Sequence, residues 1–290
     1  NYRLGIFGFL AHPELTKESG YNASGNYALL DQITALQWVK NNIAAFGGDP
    51  DRVTVAGQSA GAFSVCALMA SPLAKGLFQR AIAESGGMFN VDGRAQQLKT
   101  AEEAGVQFAA KMKAASIADL RALPADQVLA AGNTISSPVI DGYVLPTDIF
   151  TIFKEGKQND VALLTGWNTD EGFAPQVPLN AERFKESIEK KYGVLAADML
   201  KAFPSNTDEE AAKSQKDMVR DQIFAWQNYT WAKMQTVSGK QKAWLYMFSQ
   251  KPAGQPDNGA FHSAEIAYAL HTLDLWNRPW IASDRKVEDQ

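Results

Sequence analysis

Residues 53–63, "VTVAGQSAGAF", contain the feature that most limits the fold of this chain: a serine enclosed by glycines between two apolar runs. The β-branched run before the serine favours a strand, and the alanine-rich run after it favours a helix. Gly57, Ser59 and Gly61 form the pattern G-x-S-x-G, a sharp strand-to-helix turn called a nucleophile elbow. Glycines are expected there because a β-carbon would collide where the helix packs on the strand. The pattern predicts that the Ser59 hydroxyl projects from the carboxyl edge of a parallel sheet.

The rest of the chain alternates between short apolar runs and amphipathic stretches. This alternation predicts an α/β fold with a mostly parallel central sheet and helices on both faces. Buried strands are also predicted at 1–10, 78–86, 161–168 and 242–249, with a strand or β-ribbon at 137–146. Helices are predicted at 26–43, 60–71, 95–113, 117–131 and about 181–236, the last broken at Pro204. One core-facing stripe is predicted in the first helix: Leu29, Ile33, Leu36, Trp38, Val39 and Ile43.

The length and composition are those of an ordinary globular protein. The chain has 290 residues, of which 46% are hydrophobic and 21% are charged. It contains no internal repeat, low-complexity segment or linker, so we predict a single domain over residues 1–290. The chain opens on an apolar run and closes on a charged run without a helix cap. We therefore expect an internal fragment that is truncated at both ends.

Charge and cysteine content argue against several classes of function. The net charge is −4 and the pI is about 5.5, with Lys and Arg scattered, so a nucleic-acid surface is not expected. No stretch approaches the roughly 18 to 20 apolar residues that span a bilayer. The single cysteine, Cys66, excludes an internal disulfide. Its apolar neighbours predict a buried helix residue rather than a nucleophile.

A serine hydroxyl needs a general base, most often histidine, to act as a nucleophile near neutral pH. The chain has three histidines, His12, His262 and His271. His12 precedes the elbow in a surface-like turn, and His271 lies at the far end of a predicted helix. His262 follows the last predicted strand and fits the chain order serine, acid, histidine that accompanies a nucleophile elbow. We therefore predict His262 as the base.

The acid that orients this histidine should lie between the two residues, at the end of a strand. Four carboxylates satisfy that condition: Asp141, Asp148, Asp170 and Glu171. Asp170 and Glu171 are the best placed, since they follow the strand predicted at 161–168. The residues leave the choice open. No His/Cys cluster has the spacing of metal ligands, so neither a metal nor another cofactor is expected.

Several segments resemble the type-B carboxylesterase family, an α/β-hydrolase group that includes bacterial p-nitrobenzyl esterases, animal carboxylesterases and cholinesterases. The likeness at the elbow lies in "FGGDPDRVTVAGQSAGA". It continues through "NYRLGIFGFL", "GNYALLDQITALQWVKNNI", "LFQRAIAESGG", "PVIDGYVLP", "TGWNTDEGF" and "GAFHSAEIAY". It covers nearly the whole chain except a variable helical region at about 175–236. The resemblance implies an α/β-hydrolase fold that is truncated at both ends relative to the family.

The resemblance implies a catalytic triad of Ser59, Glu171 and His262, with the Ala60 N–H in the oxyanion hole. The expected reaction is hydrolysis of a small-molecule carboxylic ester through an acyl-enzyme. A thioester, carbamate or amide hydrolase, or a non-catalytic binding protein on the same fold, remains an alternative. The likeness to bacterial esterases suggests a bacterial protein. The residues decide neither its compartment, cytoplasmic or exported, nor its oligomeric state.

The resemblance also bears on the surroundings of the triad. It implies that Ser85 supplies a hydroxyl close to the triad acid. Cholinesterases carry Glu immediately before the nucleophile, whereas this chain carries Gln58, so choline esters are not expected as substrates. The family's "HGG" oxyanion loop would lie before Asn1. Aromatic residues near the motifs are expected mostly in the core, with some lining an apolar pocket: Phe63, Phe89, Trp167, Phe173, Phe224, Trp226 and Phe261.

Overall fold

The computed structural model describes residues 1–89, 95–132, 135–173 and 177–290. Its strands are β1 (Thr54–Gln58), β2 (Arg80–Glu84), β3 (Gln96–Gln97), β4 (Val139–Ile140), β5 (Ala162–Asn168) and β6 (Ala243–Phe248). The first seven helices are α1 (Gly5–Phe9), α2 (Pro13–Glu18), α3 (Tyr27–Asn42), α4 (Ala60–Ala70), α5 (Leu98–Lys111), α6 (Ile117–Ala122) and α7 (Ala125–Ala130). The others are α8 (Ile149–Lys154), α9 (Ala181–Tyr192), α10 (Ala196–Ala202), α11 (Asp208–Arg220), α12 (Trp226–Ser238), α13 (Ile266–Ala269) and α14 (Ala282–Glu288). A π-helical turn, Asp221–Ala225, joins α11 to α12.

The main sheet has four strands in the order β1-β2-β5-β6 and is mostly parallel. A second, two-stranded sheet pairs β3 and β4 in parallel, with Gln96 opposite Val139. The predicted α/β class is confirmed.

The chain divides into two compact units, each built from three stretches of sequence. The first unit comprises Asn1–Ala83, Met88–Leu164 and Trp231–Ala243. The second comprises Glu84–Gly87, Thr165–Thr230 and Trp244–Gln290. The single domain expected over residues 1–290 stays a prediction, since neither unit is one continuous stretch of chain. The variable helical region expected at about 175–236 begins on residues 175 and 176, which lie outside the described ranges.

The core of the first unit is packed around α4, which is almost entirely apolar. Cys66, Ala67 and Met69 of this helix are fully buried, and they pack in one cluster with Leu29 of α3 and Phe153 of α8. The prediction that Cys66 is a buried helix residue is confirmed. Burial raises the pKa of its thiol well above the ordinary value, because the thiolate would lose its hydration.

The second unit contains two smaller apolar clusters. One lies between α9, α10 and α11 and is centred on Phe184, Ile188 and Ala211. The other contains Tyr268 and Leu273. Polar residues cap α9 and α11: Asn180 and Thr207 accept backbone N–H groups in the first turns. Such caps satisfy amide groups that the helix itself leaves unpaired.

Residues 1–10 do not form the predicted strand. Gly5–Phe9 is a short helix, of which Ile6 and Gly8 are buried whereas Phe7 is exposed. A short apolar run with glycines fits either element, so periodicity could not distinguish them. The helix predicted at 117–131 is instead two helices, because Pro124 lies between α6 and α7 and cannot continue the first.

Two predictions of burial are also wrong. Strand β6 was expected to be buried, yet Trp244, Leu245 and Met247 are all exposed. The strand order explains this difference, since β6 is the last strand of the four-stranded sheet. In α3, Leu29 and Ile33 are buried as predicted, but Trp38 is 52% exposed. Within the described residues, the helices are all too short or too polar to cross a membrane.

Gly105, in the middle of α5, packs against the N-terminal part of the first unit. A β-carbon at this position would lie 1.8 Å from the carbonyl oxygen of Ala11. Gly105→Ala should therefore lower the free energy of unfolding by about 1–3 kcal/mol through overpacking. In an open helix interior the same change stabilises by about 1 kcal/mol. Denaturant unfolding measures the difference, with the exposed Gln107→Ala on the same helix as control. An unfolding free energy equal to that of the wild type would contradict the close packing.

Candidate active site

The predicted nucleophile lies in a strained turn between β1 and α4. Ser59 has φ 54° and ψ −114°, a positive φ that residues with a side chain rarely adopt. Such a conformation costs of order 1–3 kcal/mol and persists only where the surrounding structure imposes it. Here the imposing contacts come from β1 and α4, which pack against each other through the turn. The serine is held at the point where strand changes to helix, as the G-x-S-x-G pattern predicts.

The two glycines of the pattern differ in their surroundings. A β-carbon at Gly57 would lie 2.4 Å from the backbone carbon and oxygen of Gly61. Only glycine fits at that position, as expected. A β-carbon at Gly61, by contrast, would meet no atom within 4 Å among the described residues. The expectation of a collision at Gly61 is therefore wrong for this structure, since that side of the residue faces open space.

The helix that follows Ser59 directs its first amide groups toward the turn. Ala60 is the first residue of α4, so its N–H has no acceptor inside the helix. The Phe63 N–H donates to the Ser59 carbonyl at 3.1 Å and closes the first turn. The start of a helix favours negative charge through these free amides and the helix dipole. Gln58, the last residue of β1, places an uncharged side chain next to the serine in sequence.

The predicted base and acid meet in the second unit. His262 Nδ1 and Glu171 Oε2 lie 2.8 Å apart, within hydrogen-bonding distance. Glu171 is 2% exposed, whereas about a fifth of the His262 side chain is exposed. A carboxylate buried to this degree needs hydrogen-bond partners, because it has lost its hydration. The histidine supplies one of them and in return is held in a single ring orientation.

The second oxygen of Glu171 is also bound. The Asn168 N–H donates to Glu171 Oε1 at 2.8 Å. The Asn168 side-chain amide donates to the Phe261 carbonyl at 2.9 Å and to a carboxylate oxygen of Glu265. Phe261 immediately precedes His262 in the chain. Asn168 therefore joins the loop that carries the acid to the loop that carries the base.

Two aromatic rings contact the imidazole of His262. The Phe224 ring stacks on it, with centroids 4.7 Å apart and planes inclined by 20°. The Phe173 ring meets it edge-on, with centroids 5.8 Å apart and planes inclined by 66°. Phe224 is 2% exposed and Phe173 is 53% exposed. One ring is thus buried and the other open to solvent.

Two further carboxyl groups are held close to this region. Burial, and to a smaller extent the charge on Glu265, raises the pKa of Glu84 to about 7. Burial also raises the pKa of Glu265, although the hydrogen bond from Asn168 opposes the shift. The buried Tyr246 hydroxyl has its pKa raised strongly by burial and then by the charges of Glu84, Glu265 and Glu171. Besides Glu171, the second unit therefore contains two carboxyl groups, Glu84 and Glu265, whose pKa values are raised.

Ser85 lies directly after β2 and is fully buried. Its φ is 53°, and its N–H donates to the Gly166 carbonyl at 2.8 Å. Its hydroxyl has no hydrogen-bond partner within the described part of the chain. The structure therefore gives Ser85 no hydrogen bond to Glu171, and its expected role beside the acid stays a prediction.

The remaining candidate acids have other partners. Asp141 accepts the backbone N–H groups of residues 143–145 through one oxygen and the Asn26 amide through the other. This buried carboxylate holds the turn after β4, where a β-ribbon was one expectation. Asp148 caps α8 by accepting the Thr151 N–H at 2.9 Å. Asp170 accepts the Ala260 N–H at 3.0 Å and so joins the loops of acid and base.

The other two histidines have other surroundings. His12 is buried rather than on the surface, because its ring caps α2 by accepting the Glu14 N–H at 3.2 Å. His271 is exposed and follows α13 with φ 51°. In the described ranges, no three His, Cys, Asp or Glu side chains are grouped so as to hold a metal ion.

Sequence reasoning missed Asn168 and Glu265. A polar residue at the end of the predicted strand 161–168 was a signal for the first. A carboxylate three residues after the predicted base was a signal for the second. The contact between Phe224 and His262 had no such signal, because it depends on the register of a π-helical turn.

The raised pKa of Glu84 predicts a pH-dependent stability. Unfolded Glu titrates near 4.5, whereas folded Glu84 titrates at about 7. Between these values the folded state holds a proton that the unfolded state has lost, so Glu84 increasingly destabilises the fold as pH rises. Glu84→Gln should raise the melting temperature slightly at about pH 5 and several times more at about pH 8. Scanning calorimetry at both pH values tests this, with the exposed Glu103→Gln as a control for loss of one charge. An equal shift at both pH values would contradict the prediction.

Comparison with known proteins shows which family the sequence resembles. The sequence matches the carboxylesterase family over residues 1–290. It is 34% identical over 288 residues to the fumonisin B1 esterase of Sphingopyxis macrogoltabida, covering 94% of this chain and 52% of that protein. It is 34% identical over 291 residues to the para-nitrobenzyl esterase of Bacillus subtilis, covering 94% of this chain and 57% of that protein.

A solved structure of a PNB esterase matches the fold with a TM-score of 0.80 and 31% sequence identity, covering all of this chain and 61% of that one. The resemblance to carboxylesterases and the α/β-hydrolase fold are both confirmed. The chain spans about half the length of the curated relatives it matches. Because the family match spans residues 1–290 and the fold is shared with a PNB esterase, this chain belongs to the carboxylesterase family.

Proposed function

We propose that the protein hydrolyses carboxylic esters through an acyl-enzyme, with Ser59 as nucleophile, His262 as general base and Glu171 as the acid that orients the base. The observation that carries this proposal is the 2.8 Å hydrogen bond between buried Glu171 and His262 Nδ1. A histidine held in this way has its Nδ1 occupied and presents Nε2 for proton transfer. The strained conformation of Ser59 and the membership in the carboxylesterase family support the same function.

The reaction begins when His262 Nε2 removes the Ser59 proton and Oγ attacks the ester carbonyl. The new C–O bond pushes the carbonyl electrons onto oxygen, and the Ala60 N–H stabilises this oxyanion. The intermediate collapses when the bond to the alcohol breaks and His262 returns the proton to the departing oxygen. A water molecule then attacks the acyl-enzyme by the same route, releasing the acid and restoring the serine.

Glu171 acts on the base rather than on the substrate. It accepts a hydrogen bond from the Nδ1–H group, fixes the tautomer of His262 and stabilises the imidazolium that forms during the reaction. Its other oxygen is already bound by the Asn168 N–H, so the carboxylate cannot turn away without losing a buried hydrogen bond. The acid is therefore oriented before substrate binds, which lowers the reorganisation needed in the transition state.

The proposed substrate is a small-molecule ester that carries no positive charge. Gln58 next to the nucleophile offers no anionic group for a choline ester. The names of the two relatives, fumonisin B1 esterase and para-nitrobenzyl esterase, refer to different esters. They support the ester class without selecting one substrate.

Removal of the nucleophile gives the most direct test. In protein expressed from the complete reading frame, Ser59→Ala should lower kcat for p-nitrophenyl butyrate by about 10⁴-fold or more, because the covalent intermediate cannot form. The measurement is the rate of p-nitrophenol release, together with mass spectrometry of a fluorophosphonate adduct. Ser283→Ala, at an exposed serine of α14, is the matched control and should react normally. An adduct on a serine other than Ser59 would overturn the assignment.

The neighbouring carboxylates Asp170 and Glu171 give a second test. Glu171→Gln should lower kcat by about 10³ to 10⁴-fold, because an amide can present an N–H to Nδ1 and so favour the wrong tautomer. Asp170→Asn, the matched change one residue earlier, should keep most of the activity, because Asp170 contacts the Ala260 backbone rather than the base. Steady-state kinetics of both variants decides between the two acids. A greater loss in Asp170→Asn would reject Glu171.

A further inference from the structure

We propose that Phe224 is a positioning residue for His262, and that its ring face stabilises the imidazolium formed in each half of the reaction. This inference rests on the proposed function, since it assumes that His262 is the general base. It gives a specific task to Phe224, which the sequence predicted only as one of several aromatic residues of the core or of an apolar pocket.

Phe224 reaches the His262 ring from a π-helical turn. It is the fourth residue of the π-helical turn Asp221–Ala225. A single π-helical turn inserts an extra residue and changes the face on which the next side chains emerge, and such turns often occur at functional sites. Here the turn directs a phenylalanine onto the ring of His262 and buries it almost completely.

The two rings of Phe224 and His262 are stacked nearly parallel. A ring face carries negative charge density and a ring edge carries positive. Phe224 presents its face, with planes inclined by 20° and centroids 4.7 Å apart. A cation within about 6 Å of an aromatic centroid is attracted to the ring face. The stack therefore favours the protonated imidazole over the neutral one.

The preference of the Phe224 face for a cation affects the rate because His262 becomes charged during the reaction. His262 becomes a cation only after it has taken a proton from serine or from water. An interaction that is stronger with the cation than with the neutral ring acts mainly in the transition state and raises kcat. The contact should have little effect on KM, because substrate binds while the imidazole is still neutral.

Contacts of Arg220 hold the π-helical turn in place. Arg220, just before it, donates to the Thr169 carbonyl at 2.8 Å. Arg220 also pairs with Asp221 at 2.7 Å, which ties the start of the turn to the end of α11. Gly172 lies close to α11, since a β-carbon there would be 1.9 Å from the Lys216 carbonyl oxygen. Helix α11, which leads into the turn, therefore contacts the loop of Glu171 at Thr169 before the acid and at Gly172 after it.

The experiment varies the charge on the ring face with little change in shape. Phe224 is replaced by 4-fluoro-, 3,5-difluoro- and 3,4,5-trifluorophenylalanine in protein expressed from the complete reading frame. Each fluorine withdraws negative charge from the face, so kcat for p-nitrophenyl butyrate should fall at every step, by about tenfold at the trifluoro ring. KM should stay within about twofold of the unmodified protein, since uniform binding is not altered.

The matched control is the same series at Phe184, a buried residue of α9 with no ring contact to His262 among the described residues. Its kcat should be independent of fluorination. Phe224→Tyr, which keeps an aromatic face, should retain more activity than Phe224→Leu. A flat series at Phe224, or an equal fall at Phe184, would overturn the inference while leaving the esterase intact. An unmodified protein that neither turns over nor labels at Ser59 would overturn the proposed function and this inference with it.

Discussion

The buried carboxylate of Glu171 is the interaction on which the rest of the candidate site depends. A charge that is removed from water must be matched by hydrogen bonds, and Glu171 has them on both oxygens, from the Asn168 N–H and from His262. These two bonds join the end of β5 to the loop before α13. The same arrangement that makes the burial tolerable also fixes the orientation of the base.

The helical region of the second unit contributes to this site rather than merely enclosing it. Arg220 holds the acid loop through a backbone carbonyl, and Phe224 packs on the imidazole from a π-helical turn. The Phe224 ring stacks on one face of the imidazole, with centroids 4.7 Å apart. Segments outside the motifs thus contribute contacts to a site whose proposed reacting groups they do not supply.

The carboxyl groups of Glu84 and Glu265 are expected to lower the stability of the fold near neutral pH. Raised pKa values mean that the folded state disfavours the charged carboxylates, so these groups weaken the fold near neutral pH. Glu265 has a contact that accounts for its presence, because it receives the Asn168 amide that also holds the loop of His262. The structure does not explain Glu84 in this way.

The sequence by itself determined the α/β class and the strand-to-helix turn at Ser59, because these depend on short patterns and on chain direction. It misjudged residues 1–10 and the burial of β6, since a short apolar run does not reveal its partners or its place in a sheet. Between the two adjacent carboxylates, the residues themselves left the choice open and only the family resemblance favoured Glu171; the tertiary structure shows Glu171 bonded to His262. The stack of Phe224 on His262 is known from the tertiary structure alone, because it depends on contacts between segments distant in sequence.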